Sequence, residues 1–296
     1  MTQRNRYVNC NLCAADEYEV LFEAGKAQIH RIVKCKKCEL IYANPQTDNV
    51  TGVEINYAVS SEDTLDELSH FNKENHPYLH KQYLQLKDYA SILDHIDHEE
   101  RGLLLEVGSY AGVFLNEAKQ RGWQVLGIEP LELPALYSEK EFGIRVIRQY
   151  FEESDIPNES VSVIVSNHVI EHVPDPKQFV KHAHDLLRKN GKLILETPTY
   201  DSLSFKILGH RERSVRCEGH IYFFTEKTLR KLVEDNGFTV IDYEKVGRTL
   251  TLDRLFYNFG VITGKPKFFA AMSKKFNLHK LTMTLNMRDM QRIYCM

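Results

Sequence analysis

The chain has 296 residues, 43% hydrophobic and 27% charged, enough for one large globular domain or a domain with a small appendage. A net charge of -3 gives no support to a large polyanionic partner, although it leaves a local basic patch open. No apolar run approaches the roughly 18 residues that cross a bilayer. The opening MTQRNRYVNC also lacks the apolar core of a signal peptide, so a cytoplasmic protein with no membrane partner is expected.

In chain order, residues 1–45 carry two cysteine pairs, Cys10-Asn-Leu-Cys13 and Cys35-Lys-Lys-Cys38, with a strand-like stretch between them and Pro45 closing the segment. Paired C-x-x-C motifs in a reducing compartment point to metal before disulfide. Four thiolates in tetrahedral geometry suit Zn²⁺ and leave no coordination position for water, so the expected ion is structural. Cys217 and Cys295 stand outside the set and are read as ordinary side chains. Residues 46–98 are expected to be a linker and helical lid: a polar, acidic stretch (Ser60, Ser61, Glu62, Asp63, Asp66, Glu67), then a helix from Pro77 to about Ile96 on the spacing of Tyr78, Leu79, Tyr83, Leu86, Tyr89, Ile92 and Leu93. Tyr57, Phe71 and Tyr78 are read as packing residues, with a substrate lid as the other reading.

From 99 onward strands and helices alternate. Strands are expected at 102–106, 124–129, 144–148, 161–166 and 191–196, and helices at 112–121, 131–141 and 176–189. This alternation means an α/β fold, a mostly parallel sheet with helices on both faces. A helix at 225–236 and a strand at 238–246 follow, then a helical, partly basic stretch at 250–280 (Lys265, Lys267, Lys274, Lys275, Lys280) and a last strand near the C-terminus.

Leu103 to Glu129 reads as strand, glycine turn, helix, strand, with an acid at each strand tip, Glu106 and Glu129. Gly108 and Gly112 let the backbone turn sharply and approach a ligand, and the following helix points its amides at the pocket. Glu129 suits two ribose hydroxyls. So far NAD and S-adenosylmethionine fit equally. Charge separates them: Glu106 inside the turn repels a pyrophosphate but suits a ligand carrying an ammonium and a sulfonium, and the G-x-G-x-x-G spacing of dinucleotide sites is absent.

Here residues 100–246 resemble the class I S-adenosylmethionine-dependent methyltransferases. Glu106-Val-Gly108-Ser-Tyr110-Ala-Gly112 is similar to the family's first motif, with Tyr110 at its middle glycine, where a side chain pointing away from the cofactor is tolerated. The resemblance implies a Rossmann-like seven-stranded sheet whose last strand is antiparallel, which makes 290–295 the closing strand and 250–280 an insertion before it. It implies cofactor contacts from Glu106, Gly108, Tyr110, Gly112 and Glu129, and from Phe151 and Glu152 where the family holds adenine. The family's acid before the fourth strand is replaced by Ser162. The run Ser166-Asn167-His168-Val-Ile-Glu171-His172 resembles the loop after the fourth strand in the ubiquinone-type subgroup, which adds Asn167 and His168 to the cofactor contacts. Gly219-His220-Ile-Tyr-Phe-Phe-Thr225 also recurs there. Similar zinc ribbons precede methyltransferase domains acting on sugars or secondary metabolites, and some acting on ribosomal RNA.

Methyl transfer is an in-line displacement, so alignment is the enzyme's main task, and an oxygen or nitrogen nucleophile often needs a base. Histidine suits that role at neutral pH. His220 is the first candidate and His172 the second, with helix capping or a backbone hydrogen bond as the other reading of His172. Arg211, Arg213 and Arg216 form a basic loop read as solvated, with contact to an acidic substrate as the sharper reading. The expected activity is transfer to a small-molecule acceptor, with nucleic acid disfavoured. The competing readings are an RNA methyltransferase marked by a basic stripe through Lys34, Lys36 and Lys37, and a degenerate binding protein. The acceptor and the oligomeric state stay open.

Overall fold

The computed structural model describes residues 5–25, 30–47, 68, 71, 74, 76–98, 100–212, 214–217, 219–278 and 281–296. Tyr57, the acidic run from Ser60 to Glu67, Arg213 and Lys280 lie outside the described residues.

The near-continuous apolar runs of the middle of the chain become strands covered on both faces. Five of them are parallel: β6 (Leu103–Val107), β7 (Gln124–Ile128), β8 (Val146–Ile147), β9 (Val161–Asn167) and β10 (Leu187–Pro198). β12 (Val240–Thr251) and β13 (Thr282–Cys295) complete a seven-stranded sheet ordered β12-β13-β10-β9-β6-β7-β8. β13 runs antiparallel to both neighbours. It reaches back to Thr282 rather than beginning at 290, because Arg248–Thr251 pair with Leu285–Thr282 in a two-stranded arm. The expected helical stretch at 250–280 is therefore two helices on that arm, Leu252–Ile262 and Pro266–Lys275, interrupted where Gly264 adopts a φ of +74° ahead of Pro266.

The strand order reverses between β6 and β9. The carboxyl ends of those strands diverge and open a crevice, which is where ligands bind in sheets of this kind. Helix α1 (Pro77–Ile96) packs Ile92, Leu93 and Ile96 against Phe114 and Leu115 of α2 (Val113–Gln120) on one side of the sheet. α3 (Glu132–Phe142) follows β7. On the other side, α4 (Pro176–Leu186) buries Phe179, Val180, Ala183 and Leu186. α4 stops before the expected residue 189 because Leu187 is already extended and pairs with Val161. α6 (Glu226–Glu234) starts at a capping box made by Thr225 and Thr228. A shorter helix, α5 (Leu203–Leu208), follows β10.

The cysteine segment forms a separate small sheet of β2 (Tyr18–Phe22), β3 (Ile32–Cys35) and β4 (Ile41–Ala43), while β1 (Asn5–Arg6) pairs with β5 (Gln46–Thr47). Its fourth strand comes from far along the chain: β11 (Tyr222–Phe223) pairs antiparallel with β4. One continuous cluster of buried residues runs from Cys10, Leu12 and Tyr42 of this ribbon to Leu105, Ile164 and Phe179 of the large domain.

The largest fully buried side chain is that of Arg292 on β13. Its guanidinium bonds Glu196 at 2.7 and 2.9 Å, Glu244 at 2.9 Å and Ser91 at 2.9 Å, tying β13, β10, β12 and α1 together. A charge this deep is tolerated only because its donors are paired; loss of one partner of such a pair costs about 3–5 kcal/mol.

Candidate functional site

The crevice begins at the turn after β6. Gly108 and Gly112 have φ of +74° and +70°, and a Cβ on either would meet Val169 Cγ2 at 2.5 Å or Ser138 Oγ at 2.1 Å. Both the dihedral and the space call for glycine. Tyr110 occupies the same left-handed region, with φ of +47°. A non-glycine residue in that region costs about 1–2 kcal/mol. The Tyr110 ring is turned into an aromatic group: Tyr78 lies edge-on at 4.6 Å, Phe71 at 5.9 Å, and the hydroxyl is 3.3 Å from His76 Nδ1. Tyr110 thereby couples the turn to the start of α1.

Glu129, at the tip of β7, is buried and accepts from Tyr110 N and Leu131 N, each at 2.9 Å. A carboxylate has further lone pairs for two hydroxyls. Burial pushes its pKa up to about 7, against the pull of those two N–H groups. Glu106 is buried beside it, with Oε2 unpartnered, and burial followed by the charge of Glu129 raises it well above the usual carboxylate range. Two buried acids with spare acceptor capacity fit a cationic, hydroxyl-bearing ligand and do not fit a pyrophosphate. Glu106, Gly108, Asn167 and His168 line one side of a cavity, and Tyr78, Gln82, Gln85 and Tyr89 of α1 line the other. Phe151 is turned inward, packed on Phe179 and His182 at 4.8 and 4.7 Å. Glu152 next to it is partly buried, and burial raises its pKa.

Beyond Asn167 the chain turns through His168, whose φ is +59°. Its ring stands between Glu171 Oε1 (3.5 Å) and Glu196 Oε1 (3.6 Å). Glu171 is completely buried and is the hub of this region. Its Oε2 accepts from Thr197 Oγ1 at 2.9 Å, and its Oε1 faces His220 Nε2 at 4.0 Å. Burial raises the carboxyl, but the His168 hydrogen bond and the positive charge of His172, His220 and His168 outweigh it and hold it down at about 2. His172 Nδ1 lies 2.9 Å from the Gly219 carbonyl, to which it donates, and its ring meets that of His220 edge-on at 4.6 Å. His220 is 8% exposed, its Nδ1 has no hydrogen-bond partner, and burial pushes its pKa down to about 4. Ligand atoms of Glu171, His172 and His220 all lie within 4.8 Å of one another, a spacing that suits a shared proton or a cation. The structure thus gathers His168, His172 and His220 around Glu171, which the sequence motif contains but whose central place depends on three distant segments. Arg211 and Arg216 are exposed, as is Cys217, while Cys295 is buried.

The four ribbon cysteines converge, with Cys10 Sγ 3.3 Å from Cys38 Sγ and Cys13 Sγ 3.5 Å from Cys35 Sγ. A tetrahedral ion with sulfurs at about 2.3 Å requires sulfur separations of about 3.8 Å, close to these. The two knuckles repeat one geometry. Ala14 and Glu39, each directly after a second cysteine, have φ of 60° and 67°, and their N–H groups return to the carbonyls of Cys10 and Cys35. Cys38 is pushed down to about 5, chiefly by the hydrogen bond from Cys10, whose own thiol is pushed up. Four converging thiols, one of them easily ionised, fit a Zn²⁺ ion.

A Rossmann-like sheet with this turn and this pair of acids defines the methyltransferase fold. The methyltransferase-domain family matches residues 76–243, more than half of the chain, and the chain belongs to it as an S-adenosylmethionine-dependent methyltransferase. An uncharacterized methyltransferase of Geobacillus sp. (strain WCH70) is 27% identical over 169 residues, 53% of this chain and 79% of that protein. Human mitochondrial ubiquinone biosynthesis O-methyltransferase is 24% identical over 155 residues, covering 46% of this chain but only 41% of its own length. Among solved structures, a chain of the complex between the Haloferax volcanii Trm112 methyltransferase activator and a putative methyltransferase superposes with a TM-score of 0.56 at 12% identity, covering 80% of this chain and 98% of that one. A possible histamine N-methyltransferase of Thermotoga maritima gives 0.51 at 19% identity, over 79% and 96% of the two chains. These structures share the fold. Among the described residues no helix is long and apolar enough to cross a membrane.

Proposed function

We propose that the protein methylates an oxygen or nitrogen of a small molecule, a sugar or secondary metabolite, with His220 as general base. The observation that carries this reading is the placement of His220: buried, with Nε2 4.0 Å from the Glu171 carboxylate, and with burial favouring its neutral form. A neutral imidazole can take the acceptor's proton, and the carboxylate stabilises the imidazolium that forms. S-adenosylmethionine, when bound, supplies an electrophilic methyl group on a sulfonium. Glu129 accepts from its ribose hydroxyls and Glu106 from its ammonium group, and Gly108 and Gly112 allow the close approach. Tyr110 keeps the turn in register, while Phe151, Glu152, Asn167 and His168 shape the remaining walls. His172 braces the backbone at Gly219 and so orients the neighbouring base. The ribbon cysteines hold structural Zn²⁺.

A small acceptor is favoured over RNA because α1 walls the cavity, and because Lys34 is paired with Glu39 at 3.4 Å, which also bonds Lys227. A basic stripe leading from the ribbon is interrupted there. The test is methyl transfer from labelled cofactor to candidate acceptors, with His220→Ala alongside. Loss of a general base lowers turnover about 10²–10⁴-fold, and cofactor affinity by calorimetry should stay unchanged. Full turnover in that variant removes His220 from the role.

A further inference from the structure

The segment that carries His220 owes little of its shape to its own neighbours in sequence. β11 is two residues long, too short to hold an extended course alone. One edge is bonded to the loop after β9: Ile221 N and Tyr222 N both donate to the Glu171 carbonyl, at 2.9 and 3.1 Å. The other edge is bonded to the ribbon. Ala43 N donates to the Ile221 carbonyl at 2.8 Å, and Tyr222 and Phe223 stand opposite Tyr42 and Ile41. The Tyr222 hydroxyl donates to the Pro174 carbonyl at 3.1 Å and is reached by Gln46 Nε2 at 3.4 Å. A second link runs from Asn11, inside the first knuckle, to the Asp175 carboxylate at 2.9 Å, the N-cap of α4. Only Glu39 and Leu40 separate Cys38 from β4. Metal ligands, β4, β11 and His220 therefore form one mechanical series.

We infer that the cysteine ribbon is a positioning element of the methyl-transfer site. The ion held by Cys35 and Cys38 sets β4, β4 sets the backbone of 221–223, and Tyr222 is the positioning residue through which this reaches His220. The physical basis is that the ion ties the two knuckles to each other, and a ribbon this small has little core of its own beyond what it shares with the large domain. Loss of the ion therefore removes one of the two edges that hold β11. The cofactor turn lies outside this series, since its bonds run between Tyr110, Glu129 and Leu131. The catalytic consequence rests on the reading of His220 as base; the mechanical coupling does not.

The test is hydrogen exchange on the full-length chain before and after zinc chelation, with cofactor affinity and turnover measured in parallel. Chelation should speed exchange at 32–43 and at 219–224 together, by about tenfold or more. Cofactor affinity should stay within about twofold, and turnover should fall about 10–100-fold, the loss expected from a misplacement near 1 Å. Added Zn²⁺ should restore all three. Faster exchange at 32–43 with unchanged exchange at 219–224 overturns the coupling. Should chelation unfold the whole chain, Ala43→Pro decides, since it retains the cysteines and removes the N–H that donates to the Ile221 carbonyl. Faster exchange at 219–224 and lower kcat at unchanged cofactor affinity support the inference; unchanged exchange and kcat overturn it. If His220→Ala keeps full turnover while chelation still loosens 219–224, the base assignment fails and the coupling stands.

Discussion

The two halves of the site are built on different plans. The glycine turn and the two acids of the proposed cofactor half come from one stretch of about 27 residues, from the end of β6 to the start of α3. Its key hydrogen bonds link Glu129 to residues 19 and 2 positions away. The histidine half is assembled from distant parts. His172 meets Gly219 across 47 residues, Thr197 meets Glu171 across 26, and Asn11 meets Asp175 across 164. The first half is preorganised by local turn geometry. The second exists only when the ribbon, the loop after β9 and β11 are docked together, so it should be the first part to loosen.

The sharpest way to break this comparison is at Glu129. Glu129→Ala removes the acceptor for two backbone N–H groups and for the ribose hydroxyls, and hydrogen bonds to a charged group are worth about 1.5–3 kcal/mol each. Cofactor affinity by calorimetry should fall at least about 100-fold. Near-normal affinity would show that the local half does not depend on its acid.

The two halves should also differ in their response to pH. Glu129, at about 7 in the folded chain against 4.5 for a free carboxyl, binds more protons folded than unfolded between those values. Its contribution to stability is thus fullest below 4.5 and is lost as pH rises through 7. A cofactor that donates hydroxyls and presents a cation favours the ionised acids. Its affinity should therefore weaken as pH falls below 7, by up to about tenfold per unit for each proton taken up. His220 goes the other way: its folded value of about 4 against 6.5 makes its stabilising share full above 6.5 and lost as pH falls to 4. Calorimetric proton release on cofactor binding, and thermal melts across pH 4–8, check both signs.

Smaller effects come from the two joints. Tyr110→Gly relieves a left-handed φ worth about 1–2 kcal/mol but empties the aromatic group at the start of α1, and large-to-small loss of an aromatic costs about 3–5 kcal/mol. The net should be a destabilisation of about 2 kcal/mol, with faster exchange in α1. A stabilised variant would show that Tyr110 does not anchor that helix. Asp175→Ala removes the N-cap of α4 and the partner of Asn11. It should cost about 1 kcal/mol in denaturant melts, and an unchanged midpoint would mean the ribbon holds its place without this link.

Much of the molecule was legible in advance for local reasons. Buried strands read as apolar runs, glycines marked the turn, acids marked the strand tips, and the spacing of Cys10, Cys13, Cys35 and Cys38 announced their convergence. Other features left no local trace. Nothing in the run MRDMQRIYCM singles out Arg292, yet its side chain is fully buried, because Glu196 and Glu244 approach it from other strands. Tyr222 and Phe223 stand in the run from Gly219 to Thr225, where nothing local points to the ribbon, yet they complete its sheet. Tyr110 departs from a glycine motif; its backbone stays in the left-handed region while its ring packs at the start of α1.

By itself, then, the sequence determined the alternating architecture, the glycine turn with an acid at each strand tip, and the four-cysteine cluster, because each depends on periodicity or spacing within a short stretch. Only the tertiary structure decided that Glu171 stands at the centre of three histidines and that the ribbon's last strand borders the segment carrying His220. Those facts depend on backbone edges that meet across more than a hundred residues, where hydrogen-bond pairing is set by how the elements dock and not by any local pattern.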